Sequence, residues 1–184
     1  MRHFISVAEL KEDDVAVLLE RAEYRLAHPT GQTLAHAVVA NLFFEPSTRT
    51  RFSFEMAVKR LGGDTLNFQP TTSSMGKGES LEDTVRTIEA MGVDAMVIRH
   101  GENGIMHRLA SRCRVPIINA GEGTSEHPTQ CLLDVLTIKQ TFGRLSGLQV
   151  AIIGDVLHSR VAGSHLRLLP RLGMEILLCG PSSW

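Results

Sequence analysis

The chain has 184 residues, 43% hydrophobic and 21% charged, with a formal net charge of −1. That composition is ordinary for a globular protein and allows one domain plus part of a second. The charge balance gives no electrostatic basis for a general nucleic-acid or membrane-surface role, and no apolar run approaches the ~20 residues of a membrane span.

Cys113, Cys131 and Cys179 are scattered and odd in number, with no CxxC pair and no disulfide framework. The opening MRHFISVAELKEDD turns acidic too early for a signal peptide. Both features predict a reducing, cytoplasmic setting.

In chain order, Ser6-Val7-Ala8-Glu9 has capping-box spacing. Leu10, Val15, Leu18, Leu19, Ala22 and Leu26 follow at helical intervals up to His28-Pro29-Thr30-Gly31. Residues 36–44 (HAVVANLFF) read as a buried strand broken by Glu45-Pro46-Ser47. From Thr48 a helical pattern resumes, with Phe54, Ala57, Val58 and Leu61 on one face and Gly62-Gly63 as its stop.

The alternation then continues. A strand at 65–68 and a Ser/Thr/Gly/Lys loop at 71–78 precede a helix at 81–91, a strand at 95–98, a helix at 105–112 and a strand at 116–119. A loop at 120–126 leads into a helix over 128–142. Strands alternating with helices imply an α/β fold, a parallel sheet flanked by helices.

Residues 143–147 (GRLSG) read as an inter-domain hinge, which divides the chain into 1–143 and 144–184. The second part holds a strand at 149–153, a helix at 159–172 and a strand at 174–179, a single βαβ unit. A unit of this size is near the lower limit for independent folding. Val150, Ile152, Ile153, Ile176, Leu177 and Leu178 would need further strands and helices to cover them, so the second α/β domain is expected to be incomplete.

The strongest chemical signal is Phe43-Phe44-Glu45-Pro46-Ser47-Thr48-Arg49-Thr50-Arg51-Phe52-Ser53-Phe54-Glu55. A strand ends, the chain turns, and Ser-Thr-Arg-Thr opens a helix. Free amides at a helix start, hydroxyls and a guanidinium together describe an anion site, most naturally for phosphate. The same residues also fit an ordinary capped helix with a solvated basic turn. Arg99 ends a buried strand, where a charge needs a site to serve. Gly76-Lys77-Gly78 is not a P-loop, because Lys77 precedes glycine and the upstream glycine is missing. The seven-residue spacings His100/His107 and His158/His165 are not those of a one-face zinc pair. No metal and no cofactor are expected.

The FxxPSTRTRxSFE segment resembles the carbamoyl-phosphate signature of the aspartate/ornithine carbamoyltransferase family. Further marks follow in order: Ser74-x-x-Lys77-Gly78-Glu79, Val97-Ile98-Arg99-His100, His127-Pro128-Thr129-Gln130, and Gly154-Asp155 with His158-Ser159-Arg160. Glu45-Pro46 and Thr129 are similar to the aspartate branch, since the ornithine branch usually differs at both places. The resemblance implies transfer of a carbamoyl group from carbamoyl phosphate to the amine of L-aspartate, giving N-carbamoyl-L-aspartate and phosphate in pyrimidine biosynthesis.

It further implies that Ser47, Thr48, Arg49 and Thr50 hold the phosphate. Thr50, Arg99 and His127 would surround the carbamoyl oxygen, and Gln130 would orient the carbamoyl NH2. Ser74 and Lys77 would come from a loop that enters a neighbouring subunit's site, which implies a homotrimer. Lys77 and Arg160 would contact aspartate. Regulatory chains or pyrimidine-pathway enzymes are possible partners in such a family.

Gly163 and His165 stand where related sequences often have Arg and Asn. The family's remaining aspartate ligands come from well downstream of these motifs, so the 184-residue chain alone is expected to be weakly active or inactive. The alternatives are an ornithine carbamoyltransferase, a non-catalytic homologue, and a dinucleotide-binding oxidoreductase. The last lacks GxGxxG after residues 150–155.

Overall fold

The computed structural model describes residues 3–68 and 80–181. The predicted polar loop at 71–78, with Ser74 and Lys77, lies outside the described residues.

Apolar residues on both faces of the Val38–Phe43 and Ala95–His100 strands build a sheet that must be covered twice. β1 (Val38–Phe43), β2 (Asp64–Phe68), β3 (Ala95–His100) and β4 (Ile117–Glu122) are parallel, in the order β2-β1-β3-β4. Ala40, Leu42, Met96, Ile98 and Ile117 pack with α3 (Leu81–Ala90) and α4 (Ile105–Ala110), through Leu81, Val85, Ile88, Ile105, Met106 and Leu109. Val39, Phe43, Val97 and Ala120 instead pack with Val58 and Phe54 of α2 (Thr48–Arg60).

A third cluster joins α1 (Glu12–Ala27), α5 (Pro128–Phe142) and α6 (Arg160–Leu168) through Val15, Leu19, Cys131, Val135 and Leu168. Burial there pushes the Cys131 thiol up to about 12. β5 (Gln149–Ile153) and β6 (Glu175–Cys179) pair in parallel as a separate two-stranded sheet, with Val150 and Ile176 packed on this cluster. Ile153, Leu177 and Leu178 are 76%, 56% and 51% exposed. The inner side of the small sheet is thus covered at Val150 and Ile176 but bare at Leu178, and Ile153 and Leu177 are bare on its outer side in the described chain. No helix among the described residues is long and apolar enough to cross a membrane.

Several boundaries differ from the sequence expectation: β3 runs on to His100, α4 stops at Ala110 and β1 is confined to Val38–Phe43, and three further differences have a visible cause. Ser6 caps a 3-10 turn over Val7–Glu9, not a long helix, and α1 begins only at Glu12, where the Lys11 amide donates to Asp14. The cause is Arg171, which donates to the carbonyls of Val7, Ala8 and Leu10 that a continuous helix would have used internally. β4 runs through Glu122 instead of stopping at Asn119. Glu122 lies opposite His100 and accepts from the Met106 amide at 2.7 Å, and burial raises its carboxyl above the usual range. Finally, α6 ends at Leu168 and passes into a 3-10 turn over Pro170–Leu172, because Pro170 has no N–H with which to continue it.

Candidate active site

The strand order reverses direction between β1 and β3: the chain leaves β1 toward β2, then crosses back to β3 and β4. In an open parallel sheet such a switch opens a crevice beyond the strands' carboxyl ends. The residues singled out by sequence converge on it. β1 delivers the start of α2, where Ser47 takes an extended N-cap conformation but makes no side-chain capping bond. Its hydroxyl therefore faces the crevice together with the unsatisfied amides of the first turn.

Ser47, Thr48, Arg49 and Thr50 form one wall of a cleft of about 1170 Å³. Arg99 enters from the end of β3, His127 and Gln130 from the start of α5, and His158, Ser159 and Arg160 from the turn into α6. Ser74 and Lys77 lie outside the described residues.

Sequence reasoning missed the carboxylate behind this wall. Glu45 accepts from both Arg160 amino nitrogens, at 2.7 and 3.4 Å, and lies 3.3 Å from Arg99 Nε. The Arg99 contact is an ion pair without hydrogen-bond geometry, leaving buried Nε without a hydrogen-bond partner among the described residues. The Arg160 hydrogen bond, opposed by burial and aided by the Arg160 and Arg99 charges, holds the Glu45 carboxyl below the usual range. Burial and the Arg160 charge lower the Arg99 pKa, while Glu45 opposes them. Gly121 makes the pairing of these guanidiniums possible: a Cβ there would lie 2.9 Å from Arg160 Nη1 and 3.1 Å from Arg99 Nη1. In this state Arg160, expected from the sequence to hold a substrate carboxylate, already holds the protein's own.

His127 is 7% exposed. Burial, together with the Arg99 and Arg160 charges, lowers its pKa to about 4, so the imidazole is neutral near pH 7. The Thr129 hydroxyl lies 3.4 Å from Nδ1.

The preceding residue, Glu126, is 4% exposed and was not singled out by sequence, because a lone acid in a polar loop carries no periodic signal. It accepts from Ser6 Oγ at 2.5 Å, from the Val7 amide at 3.0 Å and from Ser164 Oγ at 3.3 Å, and Arg167 Nε stands 3.6 Å away. Ser164 Oγ in turn accepts from the His127 amide at 2.9 Å. Glu126 thus binds the amino-terminal segment and α6 to the loop that carries His127.

Gly163 is also accounted for. A Cβ there would sit 2.1 Å from the Ser125 carbonyl oxygen, so the glycine lets α6 close on the loop. Gly163→Ala gains helix propensity but meets this clash. A net loss of about 1–2 kcal/mol is expected in urea unfolding; unchanged stability would show that the helix can move aside freely.

The carbamoyl-phosphate-binding domain model of the aspartate/ornithine carbamoyltransferases matches residues 2–140. The chain belongs to this family. Among solved carbamoyltransferase structures, the M. jannaschii aspartate transcarbamoylase catalytic subunit is 37% identical with a TM-score of 0.89, covering 100% of this chain and 61% of its own. Trypanosoma cruzi aspartate transcarbamoylase in complex with aspartate and phosphate is 36% identical with a TM-score of 0.90, covering 98% and 60%. Thermus thermophilus ornithine carbamoyltransferase is 30% identical with a TM-score of 0.92, covering 100% and 63%. The chain therefore spans about three fifths of the length of these carbamoyltransferases. Backbone likeness alone does not separate the aspartate branch from the ornithine branch, so that distinction rests on side chains.

Proposed function

We propose that this carbamoyltransferase chain binds carbamoyl phosphate and contributes to carbamoyl transfer onto the amine of L-aspartate. The carrying observation is the charge of the cleft. Arg49, Arg99 and Arg160 line it together with the start of α2, and against these three cations stands one carboxylate, Glu45, behind Arg99 and Arg160. Such a wall suits a phosphate and an anionic acceptor better than ornithine's cationic side chain. Glu45 and Thr129 favour the same branch.

In this reading the α2 amides, Ser47, Thr48, Arg49 and Thr50 hold the phosphate. Thr50, Arg99 and neutral His127 donate to the carbamoyl oxygen as negative charge grows there. With the Thr129 hydroxyl donating to Nδ1, the His127 proton sits on Nε2. The aspartate amine attacks the carbonyl carbon, the tetrahedral intermediate collapses, and phosphate departs with the bonding pair and takes up the amine's proton. No covalent enzyme intermediate is needed, and holding both substrates in line contributes the rest.

We assign residues 1–143 to the carbamoyl-phosphate domain and 144–184 to the start of the aspartate domain. Lys77 and Ser74 would serve a neighbouring subunit of a trimer. The setting is a cytoplasmic step of pyrimidine biosynthesis.

Calorimetric titration with carbamoyl phosphate tests the reading. Saturable binding by the chain, weakened about tenfold or more in Arg49→Ala, is expected from loss of one charge-assisted contact. Equal binding by the variant would remove the phosphate assignment. Adding L-aspartate or L-ornithine to the phosphate-loaded chain then separates the branches: enhanced binding of ornithine over aspartate would overturn the acceptor assignment.

A further inference from the structure

Gln130 does not face the cleft alone. Its Nε2 donates to Asp134 Oδ1 at 3.1 Å, one turn along α5. The other carboxylate oxygen, Oδ2, lies 2.9 Å from His165 Nε2 on α6, and the His165 side chain is 13% exposed. A carboxylate offers only acceptors. The amide NH2 of Gln130 must therefore turn toward Asp134, and its carbonyl oxygen is left to face the cleft. His165 donates from Nε2 and fixes the carboxylate's rotation, from the position where related sequences often have Asn.

We propose that Asp134, braced by His165, is a positioning residue that fixes the amide orientation of Gln130 and thereby makes the site demand a hydrogen-bond donor on the transferred group. The inference rests on the carbamoyl-phosphate reading above and refines it. A carbamoyl NH2 satisfies the outward-facing oxygen; an acetyl methyl in the same place leaves it unpaired. A site built for a donor rejects the analogue that lacks one, because its own polar group loses its partner. Without Asp134 the amide is free to turn, and the discrimination fades.

The test is the preference of the whole chain for carbamoyl phosphate over acetyl phosphate by calorimetry, with inorganic phosphate as the control ligand. The wild type is expected to prefer carbamoyl phosphate by about tenfold, the scale of one hydrogen bond and its unpaired alternative. Asp134→Leu should reduce that ratio to about twofold while leaving inorganic phosphate binding intact. Asp134→Asn, which keeps an oxygen for Gln130, should retain most of it. A general structural role would weaken all three ligands together and leave the ratio unmoved.

An unchanged ratio in Asp134→Leu overturns the inference, as does a wild type that binds phosphate without preference. If Asp134→Leu loses inorganic phosphate too, Asp134 holds the fold and not the amide, which also overturns it. His165→Leu is an independent arm, expected to lower the ratio about twofold to threefold; no change there overturns the bracing role. A wild type that binds none of the three ligands instead refutes the carbamoyl-phosphate reading itself.

Discussion

Glu126→Ala is expected to lower the unfolding free energy by about 4 kcal/mol, the scale of breaking a buried charged network. Ser6, Val7 and Ser164 are 5%, 0% and 0% exposed. The substitution would leave the Ser6 hydroxyl, the Val7 amide and the Ser164 hydroxyl without their shared acceptor, and buried donors without partners cost about 1–3 kcal/mol each. Removing the carboxylate also removes its own burial cost, which keeps the total below the sum. Glu126→Gln retains one acceptor oxygen and should lose about half as much. Urea unfolding of both variants measures the difference. If Glu126→Ala loses under 1 kcal/mol, the amino-terminal segment and α6 are held by apolar packing and not by this carboxylate.

Acid should weaken the fold through His127 over a defined window. Its folded pKa of about 4 lies below the ordinary value of 6.5. The unfolded chain therefore takes up this proton first as pH falls. Stability from this residue is constant above about pH 6.5, declines between pH 6.5 and 4, and is flat below; the gap corresponds to about 3 kcal/mol.

Several acids overlap that window with opposite signs: Glu55, Glu89 and Glu102 are lowered and act as Glu45 does, while Glu122 is raised. Glu45, held below its usual value, loses stability as pH falls from that value through its lower folded pKa. Glu122, raised by burial, adds stability as pH falls through its higher folded value. The informative quantity is thus the wild-type slope minus that of His127→Gln, from melting curves at closely spaced pH. Parallel profiles across pH 6.5 to 4 would mean that His127 is as easily protonated in the folded chain as in the unfolded one.

The strands and most helices were legible because their signals are local. The Val38–Phe43 run is apolar apart from Asn41, as a strand covered on both faces is expected to be, and the Pro128 start and Gly143 stop of α5 are chemical punctuation. The grouping of Ser47, Thr48, Arg49, Thr50, Arg99, His127, Gln130 and Arg160 in one cleft was also foreseen, through family resemblance and not through spacing. What escaped were contacts between distant segments. Nothing near Glu45 announces that it will meet Arg99 and Arg160, and nothing near Asp134 announces His165. The amino-terminal error has the same origin. The capping-box spacing of residues 6–9 and the repeat from Leu10 fit one helix, but Arg171 claims the Val7 and Leu10 carbonyls from 164 and 161 residues away.

That clasp sets an order of events during synthesis. Phe4 lies beside Ile118 in a parallel bridge, Ser6 and Val7 wait for Glu126, and the carbonyls of Val7, Ala8 and Leu10 wait for Arg171. These amino-terminal residues are therefore among the last to find their places, since every one of these partners is made more than a hundred residues later. Contacts so far apart in sequence close slowly. The first sheet can assemble before them, with its β4 flank still open to the tardy amino terminus.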